Sequence, residues 1–104
     1  MIRKQEITTF EFPENAVIWD VRDIKAFSEG HIQGAVNQPI DHLDEECLTQ
    51  VSSDQTIYIL CGGGSKAPRA AEKLESLDSS RDYVVLMGGT RAARDAGLTL
   101  VEGA

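Results

Sequence analysis

The stretch "LCGGGSKAPRAAEKL", residues 60–74, ends an apolar run on a cysteine, follows it with three glycines, and then sets Ala67, Ala70, Ala71 and Leu74 at helical spacing. Strand, tight turn and helix in that order form the repeating unit of parallel sheets, and they place Cys61 at a strand's carboxyl end, where α/β proteins bind ligands.

Working outward, three more apolar segments have the β-branched and aromatic content of strands: "AVIWDV" (16–21), "GAVNQPI" (34–40) and "YVVLM" (83–87), beside "TIYILC" (56–61) itself. The unbroken runs Ile57 to Leu60 and Val84 to Met87 suit strands covered on both faces. A weaker strand is expected near Ile7 to Phe10. Helical patterns lie between them at 23–29, at 41–51, where Leu43, Cys47 and Val51 recur every four residues, and at 65–77. The alternation predicts an α/β fold: a mostly parallel central sheet of about five strands, helices on both faces, joined by right-handed crossovers. Pro13, Gly30, Gly34, Pro39, the "DSSRD" stretch (78–82) and Gly88-Gly89 punctuate it as turns.

A chain of 104 residues fits one domain, 1–104, and its 41% hydrophobic and 26% charged residues are those of a folded globular protein. Ten Lys and Arg against 17 Asp and Glu leave a net charge of -7, which repels nucleic acid and anionic membrane surfaces. No apolar stretch has the length of a signal peptide core or a membrane span, so a cytoplasmic location is expected. Cys47 and Cys61 are too few for a disulfide framework and have no partners at zinc-ligand spacing; no metal and no cofactor are expected.

The thiol and its glycines suggest chemistry. Three glycines able to take positive φ angles let the backbone N–H groups of a loop converge on one point, and the following helix adds the positive end of its dipole. Ser65 suits the N-cap of that helix and Pro68 its first turn. A cysteine sulfur aimed into such a nest, near Lys66 and Arg69, should hold its charge as a nucleophilic thiolate. A nucleotide-binding P-loop is excluded, because "GGGSK" lacks the G-x4-G-K-[ST] order.

Three separated motifs, "WDVRDIKAFSEGHIQGAVNQP" (19–39), "CGGGSKA" (61–67) and "VVLMGGTRAARDAGL" (84–98), together resemble the rhodanese, or sulfurtransferase, family, in the family's order from about Val17 to Leu98. The resemblance implies a parallel α/β sheet and a catalytic Cys61 opening a loop through Gly62, Gly63, Gly64, Ser65 and Lys66 to Ala67. Related cysteine phosphatases carry the longer C-x5-R loop, so the C-x4-K spacing here favours sulfur over phosphate. The chain departs from the family in having Lys66 where many members have Arg, Gly62 and Gly63 where bulkier or polar residues are common, and Ala93 where Trp is usual.

Asp20 and Arg22 match the family's D-x-R, with Asp20 expected to centre a hydrogen-bond network that fixes the loop. His31 is expected to be structural rather than a general base. Cys47 is expected on a buried helix face rather than as a resolving thiol, and Arg91 and Arg94 on an outer helix face rather than at a positive rim. The implied activity moves a sulfane sulfur from a small anion such as thiosulfate, through a Cys61 persulfide, to cyanide or a cellular thiol, for example that of a thioredoxin-like protein. A non-catalytic carrier, sensor or interaction module is the alternative, ahead of a phosphatase or arsenate reductase.

Overall fold

The computed structural model describes residues 1–63 and 65–103. Five strands form one sheet in the order β1-β5-β4-β2-β3, every neighbouring pair parallel: β1 (Ile2–Glu6), β2 (Val17–Asp20), β3 (Val36–Asn37), β4 (Ile57–Leu60) and β5 (Tyr83–Met87). Four helices accompany them: α1 (Ile24–Glu29), α2 (Glu45–Thr49), α3 (Lys66–Leu77) and α4 (Gly89–Asp95).

The two-residue period of the strands divides the core. Trp19, Ile57, Ile59, Tyr83 and Val85 pack with Leu48 of α2 and with Ala67, Ala70, Ala71 and Leu74 of α3 on one side. Ile18, Leu60, Val84 and Leu86 pack on the other side with Ile7, Phe10 and Ala93 of α4. Helices therefore cover both faces, which is why β4 and β5 are apolar almost throughout. Ala93, where a larger residue was expected from the resemblance, is fully buried among these side chains.

Three local expectations are corrected. The edge strand on the β5 side is Ile2–Glu6, and the expected strand at Ile7 to Phe10 begins instead with a 3-10 turn over Ile7–Thr9. The "IRKQE" strand has neighbours on one side only, and its charged residues suit an exposed edge although they hide its period. The helix expected at 41–51 is a 3-10 turn, Ile40–His42, followed by α2 over 45–49. Asp44 starts α2 by accepting the Cys47 N–H at 3.0 Å, and that bond holds the Asp44 carboxyl below the usual carboxylate range. Of the segment 34–40, only Val36–Asn37 is strand.

The "DSSRD" turn does more than punctuate. Arg81 is buried and donates to the carbonyls of Leu48, Val51 and Ser52, closing the end of α2 and the loop after it. Among the described residues no helix is long and apolar enough to cross a membrane.

The topology creates the site. From β2 the chain moves to the edge strand β3, then returns across the sheet to β4 and continues outward to β5. The segments leaving β2 and β4 thus diverge from adjacent strands, opening a crevice at their carboxyl ends.

Candidate active site

Cys61 follows the last residue of β4, the central strand, so its backbone is fixed by pairing on both sides of that strand. Its side chain is only 2% exposed, and its sulfur accepts the backbone N–H of Ala67, in the first turn of α3, at 3.4 Å.

The second support comes from α4. Thr90 N–H donates to the Cys61 carbonyl at 2.9 Å, and Arg91 N–H donates to the Gly62 carbonyl at 3.0 Å. This close approach requires glycine at position 89: its φ is +59°, and a Cβ there would lie 2.0 Å from the Cys61 carbonyl oxygen. Sequence reasoning saw Gly88-Gly89 only as a turn, although a double glycine between a strand and a helix is itself a signal of close backbone approach.

The third support is a corner built on β2. Asp20 is fully buried and takes a forked grip from Arg22, with Nε at 3.0 and 3.1 Å from its two oxygens and Nη2 at 2.7 Å. The same Nη2 donates to the Gly30 carbonyl, and Asn37 donates to the carbonyls of both Asp20 and Arg22. The network ties the loops after β2 and α1 together, with the Arg22 Cδ within 3.6 Å of where a Gly62 Cβ would stand. Asp20 and Arg22 thus form a hydrogen-bonded corner beside Gly62, and Asn37 is a member of it that the sequence does not announce.

Together these segments line a cavity of about 270 Å³ bounded by Arg22, Asp23 and Ala26 on one side and by Cys61, Gly62, Gly63, Ser65 and Lys66 on the other. Gly64, an expected loop residue, lies outside the described residues. Arg69, expected near the sulfur, is exposed on α3 and is not among the residues that line the cavity. Ser65 precedes α3 but makes no side-chain cap bond. The expected positive φ angles are also absent at Gly62 and Gly63, neither of which adopts the left-handed conformation.

A larger cavity, about 490 Å³, lies toward the opposite end of β2 between Phe12, Ala16, Ile32 and Leu98; no thiol, histidine or cation lines it. His31 is structural, as expected. Its ring stacks on Phe27 at 3.7 Å, its Nδ1 lies 2.8 Å from the Phe27 carbonyl, and its backbone bridges Val101. Cys47 is half-buried rather than buried, and packs against the core from α2. Among the described residues no cluster of three or more His, Cys, Asp or Glu is placed to hold a metal ion.

Comparison with known proteins gives the family and agrees with the fold. The chain is 34% identical over 68 residues to the uncharacterised Bacillus subtilis protein YqhL, covering 65% of this chain and 53% of that one. It is 29% identical over 62 residues to YrkF of the same organism, provisionally named a sulfur carrier protein, covering 60% of this chain and 33% of that one. These matches thus span about half and one third of the two curated relatives. In fold it is similar to a thiosulfate sulfurtransferase from Pseudomonas aeruginosa, with a TM-score of 0.87, 18% identity, and coverage of 99% of this chain and 21% of that one. The family described as the rhodanese-like domain matches residues 9–96, and the chain belongs to that family.

Proposed function

We propose that the protein is a sulfurtransferase that carries a sulfane sulfur on Cys61. The observation that carries this reading is the position of the Cys61 sulfur: at the end of the central strand, facing the first turn of α3, in a residue that lines a cavity of about 270 Å³ with Arg22 and Lys66.

In the first half-reaction the Cys61 thiolate attacks the outer sulfur of thiosulfate. A sulfur–sulfur bond forms to Cys61, the donor's own sulfur–sulfur bond breaks, and its electron pair leaves with sulfite. In the second, cyanide or a thiolate attacks the terminal sulfur and Cys61 departs as thiolate, so no external oxidant or reductant is consumed. The thiol acceptor is a cellular thiol such as that of a thioredoxin-like protein.

Near-complete burial of the resting sulfur suits this scheme. A persulfide extends the side chain by a bond of ~2.05 Å, bringing the transferable atom up into the cavity while the Cys61 sulfur stays behind. Lys66 in the wall offers an anionic donor a local positive charge within a chain of net charge -7. The fixed corner at Asp20 and the grip of α4 on the loop keep these groups in place between half-reactions.

The carrier reading, in which the persulfide is handed to a partner without turnover on small molecules, draws support from the name given to YrkF. Initial rates of thiocyanate formation, with thiosulfate and cyanide varied together, separate the two. Sulfurtransfer gives parallel double-reciprocal lines, the mark of a ping-pong cycle; a persulfide that forms once and is not turned over by cyanide contradicts it.

A further inference from the structure

The two arginines of α4, alike in sequence, have different surroundings. Arg94 extends to Gly30: its Nη2 lies 3.6 Å from where a Gly30 Cβ would stand. Arg91 extends over the cysteine loop instead, with Nη1, Cζ and Nη2 at 3.3, 3.4 and 3.5 Å from the position of a Gly63 Cβ. Its expected place on an outer face away from the site is therefore corrected.

This contact accounts for Gly63. Since the residue is not left-handed, its backbone does not demand glycine. What glycine supplies is room: a side chain at 63 would press on the Arg91 guanidinium at a tight 3.3 Å and shift it from its place over the loop by tenths of an ångström or, for a larger side chain, more. The family departures at the loop are thus connected, because the missing side chain leaves space for a cation contributed by another element.

Arg91 is also uncommitted. Its side chain is exposed and makes no hydrogen bond or ion pair among the described residues, whereas the Arg22 guanidinium is held by Asp20 and Gly30. Lys66 provides a point charge, while a guanidinium presents paired donors matched to two oxygens of one head group.

We propose that Arg91 recognises the oxyanion end of the sulfur donor, and that Gly63 is small so that it can. This rests on the sulfurtransfer reading and adds to it a positioning residue for the anionic end of a donor such as thiosulfate or an organic thiosulfonate. As the donor's sulfur–sulfur bond breaks, the electron pair moves onto the leaving sulfite or sulfinate, whose oxygens Arg91 holds.

The test compares alkylation of Cys61 by iodoacetate, an anion, with alkylation by iodoacetamide, its neutral analogue, in a Cys47→Ser background that leaves one thiol. The ratio of the two rates cancels changes in the sulfur itself. It is expected to fall about fivefold in Arg91→Ala and by a similar factor in Gly63→Ala, with no further fall in the double variant. An unchanged ratio in Arg91→Ala, or losses that multiply in the double variant, overturns the proposal. Sulfur uptake from thiosulfate is measured on the same protein. An Arg91-dependent ratio without uptake removes the transfer reading and leaves anion recognition standing; uptake with a ratio indifferent to Arg91 does the reverse.

Discussion

The surroundings of the two cysteines differ in the direction of their hydrogen bonds. The Cys61 sulfur accepts an N–H from Ala67, whereas the Cys47 thiol donates, to Gln38 Oε1 and to the His42 carbonyl, each at 3.6 Å. Acceptors around a thiol favour its neutral form. Burial pushes the Cys47 thiol up, and the nearby Asp44 carboxylate acts in the same direction by its charge. Burial therefore does not mark a thiol as mere core filling, since the more buried of the two is the one at the cavity.

The largest expected effect breaks the comparison outright. Cys61→Ser abolishes thiocyanate formation from thiosulfate and cyanide, because the weaker serine nucleophile cannot carry the sulfur; retention of turnover would assign the chemistry elsewhere. Next is Gly89→Ala, which drives a methyl group into the Cys61 carbonyl at a left-handed backbone position. We expect a loss of about 3–4 kcal/mol in urea denaturation, accompanied by reduced transfer in the folded fraction. A variant of normal stability would mean that the α4 contact does not constrain the loop.

Asp20→Asn tests the corner on the other side of the cavity. It keeps the shape of the side chain but leaves the part-buried Arg22 without its ionic partner, and the expected cost is about 2–3 kcal/mol in the same measurement. A smaller effect is expected at Tyr83, whose hydroxyl donates to the carbonyls of Leu74 and Asp78 at the end of α3. Burial pushes its ionisation up to about 12, from an ordinary value of about 10, so its contribution is complete below pH ~10 and is lost as pH rises toward 12. Tyr83→Phe should cost about 1 kcal/mol at neutral pH and flatten the fall of stability across that alkaline window; an unchanged pH profile would contradict the assignment. At the small end, Cys47→Ser should leave turnover unchanged, and a large loss would restore a role for the second thiol.

Much of the sheet was legible because β4 and β5 are covered on both faces, and such strands are written as unbroken apolar runs. The edge strand β1 was not, since a strand with one neighbour tolerates charge and "IRKQE" carries no readable period. The two-residue strand β3 and the short α2 are set by Asn37, Asp44 and Arg81, whose bonds join distant segments. At the site, Cys61 and its helix could be placed from local order alone: strand, glycines, helix. The glycines could be noticed but not explained. Gly89 is required by a backbone oxygen 28 positions earlier, and the room at Gly63 is filled by Arg91, 28 positions later. Arg91 and Arg94 differ only in what they reach across the fold, which a helical period does not encode.

The central claim is that the Cys61 sulfur accepts and holds one further sulfur atom. Intact-mass measurement of the wild-type protein and Cys61→Ser, before and after incubation with thiosulfate and again after cyanide, tests it most directly. The account predicts a gain of one sulfur on the wild type alone, removed by cyanide. No gain on the wild type, or an equal gain on Cys61→Ser, would contradict it.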